Sequence, residues 1–170
     1  FLSMLGIGLS GALLVLGSYQ FNAVDQLLDV QYRLVMRMDL HLSFIEPTSE
    51  HALAELRALP GVDHVEGYRG VAVRLMRGTR EHRTRIEGLE PEPRLRALLD
   101  AERRPIRVPP AGLLMTRYLA DSLGVGPGDR VEVEILEGER RRLEVTMAAA
   151  VDEPIGVSAY MERRALNRLM

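Results

Sequence analysis

The chain has 170 residues, of which 46% are hydrophobic and 27% charged, and its formal net charge is −2. A chain so close to neutral gives no reason to expect nucleic-acid binding, which depends on basic side chains that neutralise phosphates. Cysteine is absent and aromatic residues make up only 5%, so disulfides and thiolate metal sites are excluded and a stacking platform for bases or sugars is disfavoured.

The first 24 residues contain no charged side chain. About 20 apolar residues, rising 1.5 Å each, cross the roughly 30 Å hydrocarbon layer of a bilayer. A buried helix of a soluble protein is usually shorter, and a cleavable signal peptide has a basic start and a small-x-small cleavage site. Neither alternative fits as well as a membrane-spanning helix. Because the chain opens on Phe1 rather than Met, we also expect it to be a fragment of a longer protein.

Small residues recur along this predicted helix at helical spacing. The candidate packing face consists of Ser3, Gly6, Ser10 and Gly17. Membrane helices place small residues where two backbones approach closely, but glycine is also tolerated in such helices without that role. Both interpretations stay open at this point.

Residues 25–37 continue the helical pattern into polar sequence, with Asp29 four residues before Arg33. This orientation of charges stabilises an exposed helix by a few tenths of a kcal/mol. We therefore predict that residues 1–37 form one membrane helix with a stalk, and that residues 38–170 form the domain it carries. The alternative is a separate amphipathic helix lying on the lipid headgroups.

The first part of the domain is predicted to have the order β-α-β-β. Residues 39–45 alternate polar and apolar, which indicates a half-buried strand. Ser49 or Thr48 caps a helix that ends at Pro60 and Gly61. One or two strands follow up to Leu75, and after a turn at Gly78 a return strand reaches Glu87. This order predicts a small sheet with a helix across one face.

The second part begins after a break at residues 88–93, with a short helix at 95–99 and a strand at 103–110. Thr116 then caps a helix that Gly124 ends. A hairpin of strands at 131–136 and 141–151 follows, and a final helix covers 162–170. The predicted fold class is α+β, a two-lobed mixed α/β domain whose lobes meet near residues 88–110.

No catalytic, cofactor or metal motif is found in the sequence. The four histidines lack the spacing of a metal site, in which three or four ligands converge on one ion. Gly124, Gly126 and Gly128 follow a helix and open a strand, the reverse of a phosphate-binding loop, so they are interpreted as turn residues. We expect no catalytic residue, no cofactor and no metal, and hence no enzyme.

Arginines crowd the predicted hairpin around Gly78: Arg74, Arg77, Arg80, Arg83 and Arg85. Charge on an exposed hairpin commonly serves to prevent edge-to-edge pairing. The alternative is a docking surface for anionic lipid headgroups or an acidic partner.

The succession of segments is informative as a whole. A glycine-rich membrane helix and stalk precede DLHLSF, LPGVDHVEGYR and IEGLEP, then PPAGLLMTRYLADSLGVGPGDRVEVEILEG and VDEPIGVSAYM. This order resembles the first membrane helix and extracytoplasmic core domain of FtsX-like, MacB-type ABC-transporter permeases. The resemblance covers essentially the entire chain, and GLLMTRYLADSLGVGPGDRV is its most specific part.

The resemblance implies a non-enzymatic permease subunit of the bacterial cytoplasmic membrane, multi-pass at full length, with its soluble domain outside the cytoplasm. Implied partners are a cytoplasmic ABC ATPase subunit, a second permease copy or half, and an extracytoplasmic adaptor or lipoprotein, without nucleic acid. Such permeases export or extract lipoproteins, lipids, drugs or peptides, or transmit motion to a partner protein. The alternative is a signal-anchored extracytoplasmic binding or adaptor domain with a single membrane helix.

Overall fold

The computed structural model describes residues 2–45, 48–138, 140–153 and 156–170. A long helix, α1, leads into a barrel of six strands. The helices are α1 Leu2–Asp29, continued by a π-helical segment Val30–Val35, α2 Glu50–Arg57, α3 Arg117–Leu123 and α4 Arg163–Leu169. The strands are β1 Arg69–Arg77, β2 Arg80–Leu89, β3 Leu98–Leu99, β4 Pro105–Ile106, β5 Leu113–Thr116, β6 Arg130–Ile135, β7 Arg142–Val151 and β8 Ala159–Glu162.

The N-terminal helix runs as one rod from Leu2 to Val35, which confirms the continuous helix predicted for most of residues 1–37. Within the described residues, one segment, Gly6–Gln26, is long and apolar enough to cross a bilayer, and none of it is buried in the protein. The last turn is π-helical and ends where Met36 pairs with Arg96. The side chains of the predicted Asp29–Arg33 pair lie outside the described residues.

Six strands close into a barrel in the order β1-β2-β8-β5-β7-β6. The hairpins β1–β2 and β6–β7 are antiparallel, and β1 pairs antiparallel with β6 to close the ring. Strand β8 runs parallel to β2 and antiparallel to β5, and β5 runs parallel to β7. Two strands from before residue 90 and four from after residue 112 thus belong to one ring.

Side chains alternate inward and outward along the strands, and the inward-facing apolar ones fill the barrel. On β1 the inward positions Val71, Val73 and Leu75 are almost fully buried, and β6 supplies three more apolar residues in the same way. Helix α3 contributes Leu119 and Leu123 to this core, and α4 contributes Leu166. Burying each such side chain contributes about 1.5–3 kcal/mol, so the barrel is the stable part of the molecule.

The segment from β5 to β6 forms as predicted. Thr116 is the N-cap residue of α3, although its side chain accepts no capping hydrogen bond, and Gly124 ends the helix in the left-handed conformation with φ 68°. The hairpin turn at Gly78 and the strands β6 and β7 also confirm the prediction within one residue at the described ends.

Several local predictions are wrong. Residues 39–45 form no strand, and residues 95–99 form a β-bridge and the short strand β3 rather than a helix. Helix α2 forms with Ser49 as N-cap residue, but it has no buried residue and does not cover the sheet. The predicted strand at 103–110 is reduced to β4, and β8 was not predicted at all.

The expectation of two lobes that meet near residues 88–110 is not confirmed. Strands from both sides of that segment belong to one barrel and share one core. The segment itself carries the two-stranded sheet β3–β4, which packs beside the barrel through a second apolar cluster that includes Leu98, Leu114 and Tyr160.

Candidate functional site

The N-terminal rod is joined to the barrel by backbone hydrogen bonds. The amide N–H of Ala97 donates to the carbonyl of Val35 over 2.9 Å, and that of Arg37 donates to the carbonyl of Leu95 over 2.8 Å. Between them, Met36 and Arg96 form an antiparallel bridge. The last carbonyls of a helix lack partners within it, and here an extended segment supplies a donor. We call residues 35–37 and 95–97 the stalk joint.

Apolar packing reinforces the stalk joint. Val35, Ala97 and Leu99 are each about 3% exposed and form a small cluster, with Met36 packed against it. Leu99 extends the connection to the barrel, because its carbonyl accepts a hydrogen bond of 3.0 Å from the amide N–H of Asp152, immediately after β7. The end of the rod is therefore fixed by packing as well as by hydrogen bonds.

The side chain of Arg96 extends from the stalk joint into a cluster of buried polar groups. Its Nη1 lies 2.6 Å from Oε2 of Glu87 on β2, a close ion pair without the alignment of a hydrogen bond. Its Nη2 lies 3.7 Å from Oε1 of Glu153 and donates to the hydroxyl of Tyr160 on β8 over 3.3 Å. The Tyr160 hydroxyl in turn donates to Oε2 of Glu153. We call these four side chains the Arg96 network.

Burial dominates the electrostatics of the Arg96 network. It raises the pKa of Glu87 above its ordinary value, Arg96 opposes that rise, and the nearby Glu153 adds to it. Burial also raises the pKa of Tyr160, again with support from Glu153. Burial acts against the charge of Arg96, yet Tyr160, Glu87 and Glu153 together keep its pKa above the ordinary value. Arg96 is thus a permanent cation facing two carboxyl groups.

The predicted helix-packing residues all lie on α1 and have no partner element among the described residues. A Cβ at Gly6 or Gly17 would meet nothing within 4 Å, and Ser3 is exposed. The hydroxyl of Ser10 donates to the carbonyl of Gly6 over 2.8 Å, so this polar group is satisfied within the helix. Such a face is compatible with lipid, and its role in helix packing stays a prediction.

The structure divides the five predicted docking arginines into two groups. Arg77 donates to the carbonyl of Gly124 over 2.6 Å and to Asp129 over 2.7 Å, and Arg74 pairs with Glu134 at 3.4 Å. These two arginines hold strands and turns of the barrel together. Arg80, Arg83 and Arg85 are exposed on the hairpin β1–β2. The docking surface is restricted to these three and stays a prediction.

Sequence reasoning missed the Arg96 network. Glu87, Arg96, Glu153 and Tyr160 belong to different strands and loops and share no motif, since long-range contacts such as the pairing of β2 with β8 bring them together. One local signal was present, because Arg96 is a charged residue inside the apolar run of residues 95–99. Within residues 2–45, 48–138, 140–153 and 156–170, no group of three or more potential metal ligands is found.

The fold has a counterpart among solved structures. No protein-family model and no curated protein matches the sequence. A crystal structure described as the extracellular domain of the noncanonic ABC-type transporter YknZ from Gram-positive bacteria matches with a TM-score of 0.51 and 15% identity. The match covers 79% of this chain and 73% of that one. The described chain therefore has the fold of an extracellular ABC-transporter domain, preceded by one apolar helix.

Proposed function

We propose that this chain is the first membrane helix and extracytoplasmic domain of an ABC-transporter permease of the FtsX-like, MacB-type group. In this proposal it carries no enzymatic activity, and ATP is hydrolysed by a separate cytoplasmic subunit. A second permease copy or half pairs with it in the bacterial cytoplasmic membrane, and the stalk transmits motion to the domain. The cargo belongs to the class of lipoproteins, lipids, drugs or peptides.

The observation that carries the proposal is the continuity of an exposed apolar helix with a domain of the YknZ type. The likeness to YknZ concerns the fold, and the helix adds a membrane anchor in direct backbone contact with it. A helix that merely tethered a binding domain would not need a joint of two hydrogen bonds, an apolar cluster and an ionic network. Rigid-body movement of one such element relative to another is a common form of conformational coupling.

The membrane topology is tested first. Because the chain lacks cysteine, a single Cys at Leu14 or at Glu102 in an otherwise cysteine-free full-length protein is a unique label site. In intact cells with a permeable outer envelope, a membrane-impermeant maleimide is expected to label Glu102→Cys and to leave Leu14→Cys unlabelled until detergent is added. Labelling of Glu102→Cys only after cell lysis would place the domain in the cytoplasm and overturn the proposal.

The ABC assignment is tested by affinity purification of the full-length protein from mild detergent. We expect an ATP-hydrolysing subunit to co-purify and its activity to follow the tagged protein through size-exclusion chromatography. Purification of the tagged protein alone, without ATPase activity, would contradict the permease role and favour the signal-anchored adaptor domain.

Force transmission along the rod is tested by breaking it. Val30→Pro removes a helical N–H and costs about 3 kcal/mol or more locally, whereas Val30→Ala keeps the helix. In the purified complex, ATP is expected to alter hydrogen exchange at the stalk joint of the wild type and of Val30→Ala. Val30→Pro should abolish that change while ATP hydrolysis continues, and an unchanged response would contradict the lever.

A further inference from the structure

Arg96 contacts both the rod and the barrel. Its backbone lies in the bridge with Met36 at the end of the rod, while its guanidinium reaches Glu87 on β2, Glu153 after β7 and Tyr160 on β8. The hydrogen bonds of the stalk joint come from its two sequence neighbours, Leu95 and Ala97. A displacement of the rod therefore acts on the peptide that carries this side chain.

The peptide around Arg96 is also held from a third side. The carboxylate of Glu66 accepts the amide N–H of Arg94 over 2.8 Å and that of Leu95 over 3.1 Å. With these groups in place, the backbone at residue 96 has little freedom to move independently of the rod. Motion that reaches it is passed on through its side chain.

We propose that Arg96 is the positioning residue that couples the stalk to the barrel, by holding the rod in register with the ends of β2, β7 and β8. What this coupling serves rests on the proposed function, whereas the coupling itself is a property of the chain alone. The planar guanidinium suits the role because it donates in several directions at once, while an ammonium acts as a point charge. The Tyr160 ring adds a cation–π contact at 5.5 Å from the ring centroid to the guanidinium carbon.

The charge balance of the Arg96 network makes the coupling dependent on pH. One guanidinium faces two carboxyl groups, Glu87 and Glu153, with Tyr160 between them and Arg85 contributing from the exposed face of β2. Proton uptake by Glu87 removes the surplus negative charge and leaves the contacts of Arg96 with Glu153 and Tyr160 intact. The stalk joint is therefore held more firmly once Glu87 has taken up a proton.

The test is hydrogen exchange of the full-length protein in lipid nanodiscs, read by mass spectrometry on peptides that contain Arg37 and Ala97. Exchange at these amides reports local opening of the stalk joint. Arg96→Gln is expected to lower protection roughly tenfold, as for loss of a charge-assisted hydrogen bond, and Arg96→Lys should restore part of it. The matched control is Arg104→Gln, which removes an exposed pair with Asp100 on the neighbouring hairpin and should leave protection unchanged.

The pH profile separates coupling from a merely structural role. After division by intrinsic exchange rates, wild-type protection should rise as the pH falls through the raised pKa of Glu87, and Glu87→Gln should remove that rise. Should Arg96→Gln fail to fold, we use the double variant Arg96→Gln, Glu87→Gln, which leaves one unpaired buried carboxylate fewer. Its protection at the stalk joint is then compared with that of Glu87→Gln. Equal protection in the Arg96 variants and the wild type, or an unchanged pH profile in Glu87→Gln, would overturn the inference.

These outcomes are distinguishable from failure of the proposed function, because exchange at the stalk joint requires neither an ATPase nor a cargo. Loss of co-purifying ATPase would remove the permease role and leave this result standing. Protection that does not respond to Arg96 would remove the coupling residue and leave the permease role standing.

Discussion

The N-terminal rod and the barrel use the same apolar residue types in opposite ways. The described leucines and valines of α1 are mostly exposed, with Leu13 63% exposed, whereas those of the barrel core face inward, with Leu119 fully buried. The apolar side chains of the barrel are buried by its own tertiary contacts, whereas the described apolar side chains of α1 remain exposed. Hydrophobic content alone therefore does not distinguish a core from a membrane helix; continuity of the apolar run does.

The connection between the two regions shows a third pattern. Between residues 38 and 62, the described apolar side chains of Leu40, Leu42 and Phe44 are exposed, and the ion pair of Glu50 with Arg163 at 3.0 Å ties this segment to the rest. Stability in this molecule is thus concentrated in the barrel. Substitutions in the barrel should therefore destabilise the protein more than substitutions in the rod or the connection.

The largest effect is expected from a cavity in the barrel. Leu119→Ala removes a fully buried side chain of α3 and should destabilise the domain by about 2–5 kcal/mol. Leu13→Ala, the matched change in α1, should leave thermal unfolding of the barrel in detergent unaffected, as followed by circular dichroism. Equal losses for the two variants would show that rod and barrel unfold as one unit.

A smaller effect is expected at the end of α3. Gly124 has φ 68°, and an added Cβ would lie 2.5 Å from Nη1 of Arg80. Gly124→Ala should cost about 1–2 kcal/mol because the left-handed conformation disfavours a side chain. Gly126→Ala is the control, since its φ is ordinary and the nearest atom, Oδ2 of Asp129, is 3.9 Å from the new Cβ. Chemical denaturation measures the stability of both variants. Equal denaturation midpoints would contradict backbone strain at position 124.

The pH dependence of stability should follow Glu87. Its pKa is raised in the folded state, so its contribution to the free energy of unfolding is fully present below the unfolded pKa of about 4.3 and is lost as pH rises through the folded pKa. Glu87→Gln should reduce the change of the unfolding free energy with pH between these two pKa values. Glu92→Gln, at an exposed pair with Arg107, should leave the slope as in the wild type; an identical slope in Glu87→Gln would refute the assignment.

The smallest effect is expected in the connection. Phe44 is 54% exposed, and Phe44→Ser should change the unfolding free energy by less than about 0.5 kcal/mol, as for other surface sites. The comparison is Val73→Ser in β1, which buries a hydroxyl in the core and should be far more damaging. A large loss in Phe44→Ser would show that this segment packs against something in the full-length protein.

Local chemistry explains which elements were predictable. The hairpin at Gly78 and the helix from Thr116 to Gly124 rest on turn residues, alternation and capping within short windows, and both form as predicted. The alternation of residues 39–45 satisfies the same rules but finds no strand to pair with. A strand requires a neighbour from elsewhere in the chain, and no local pattern guarantees one.

The Arg96 network also depends on long-range pairing rather than on local sequence. Leu95, Ala97 and Leu99 have a helical composition, yet their backbone groups pair with the rod, with Asp152 and with β4. The partners lie between 7 and 64 residues apart along the chain. Because the residues of the network recur at neither helical nor strand spacing, the sequence contains no pattern that would reveal the cluster.

The sequence by itself determined the long apolar helix α1, the two long hairpins, the capped helix α3 and the absence of a recognisable reaction motif, because each depends on hydropathy or conformational preference over a few consecutive residues. Only the tertiary structure decided that the strands close into one barrel, that residues 95–97 receive the end of the rod, and that Arg96 faces two buried carboxyl groups. Those features depend on long-range pairing, whose energy comes from burying surfaces that are distant in sequence until the chain has folded.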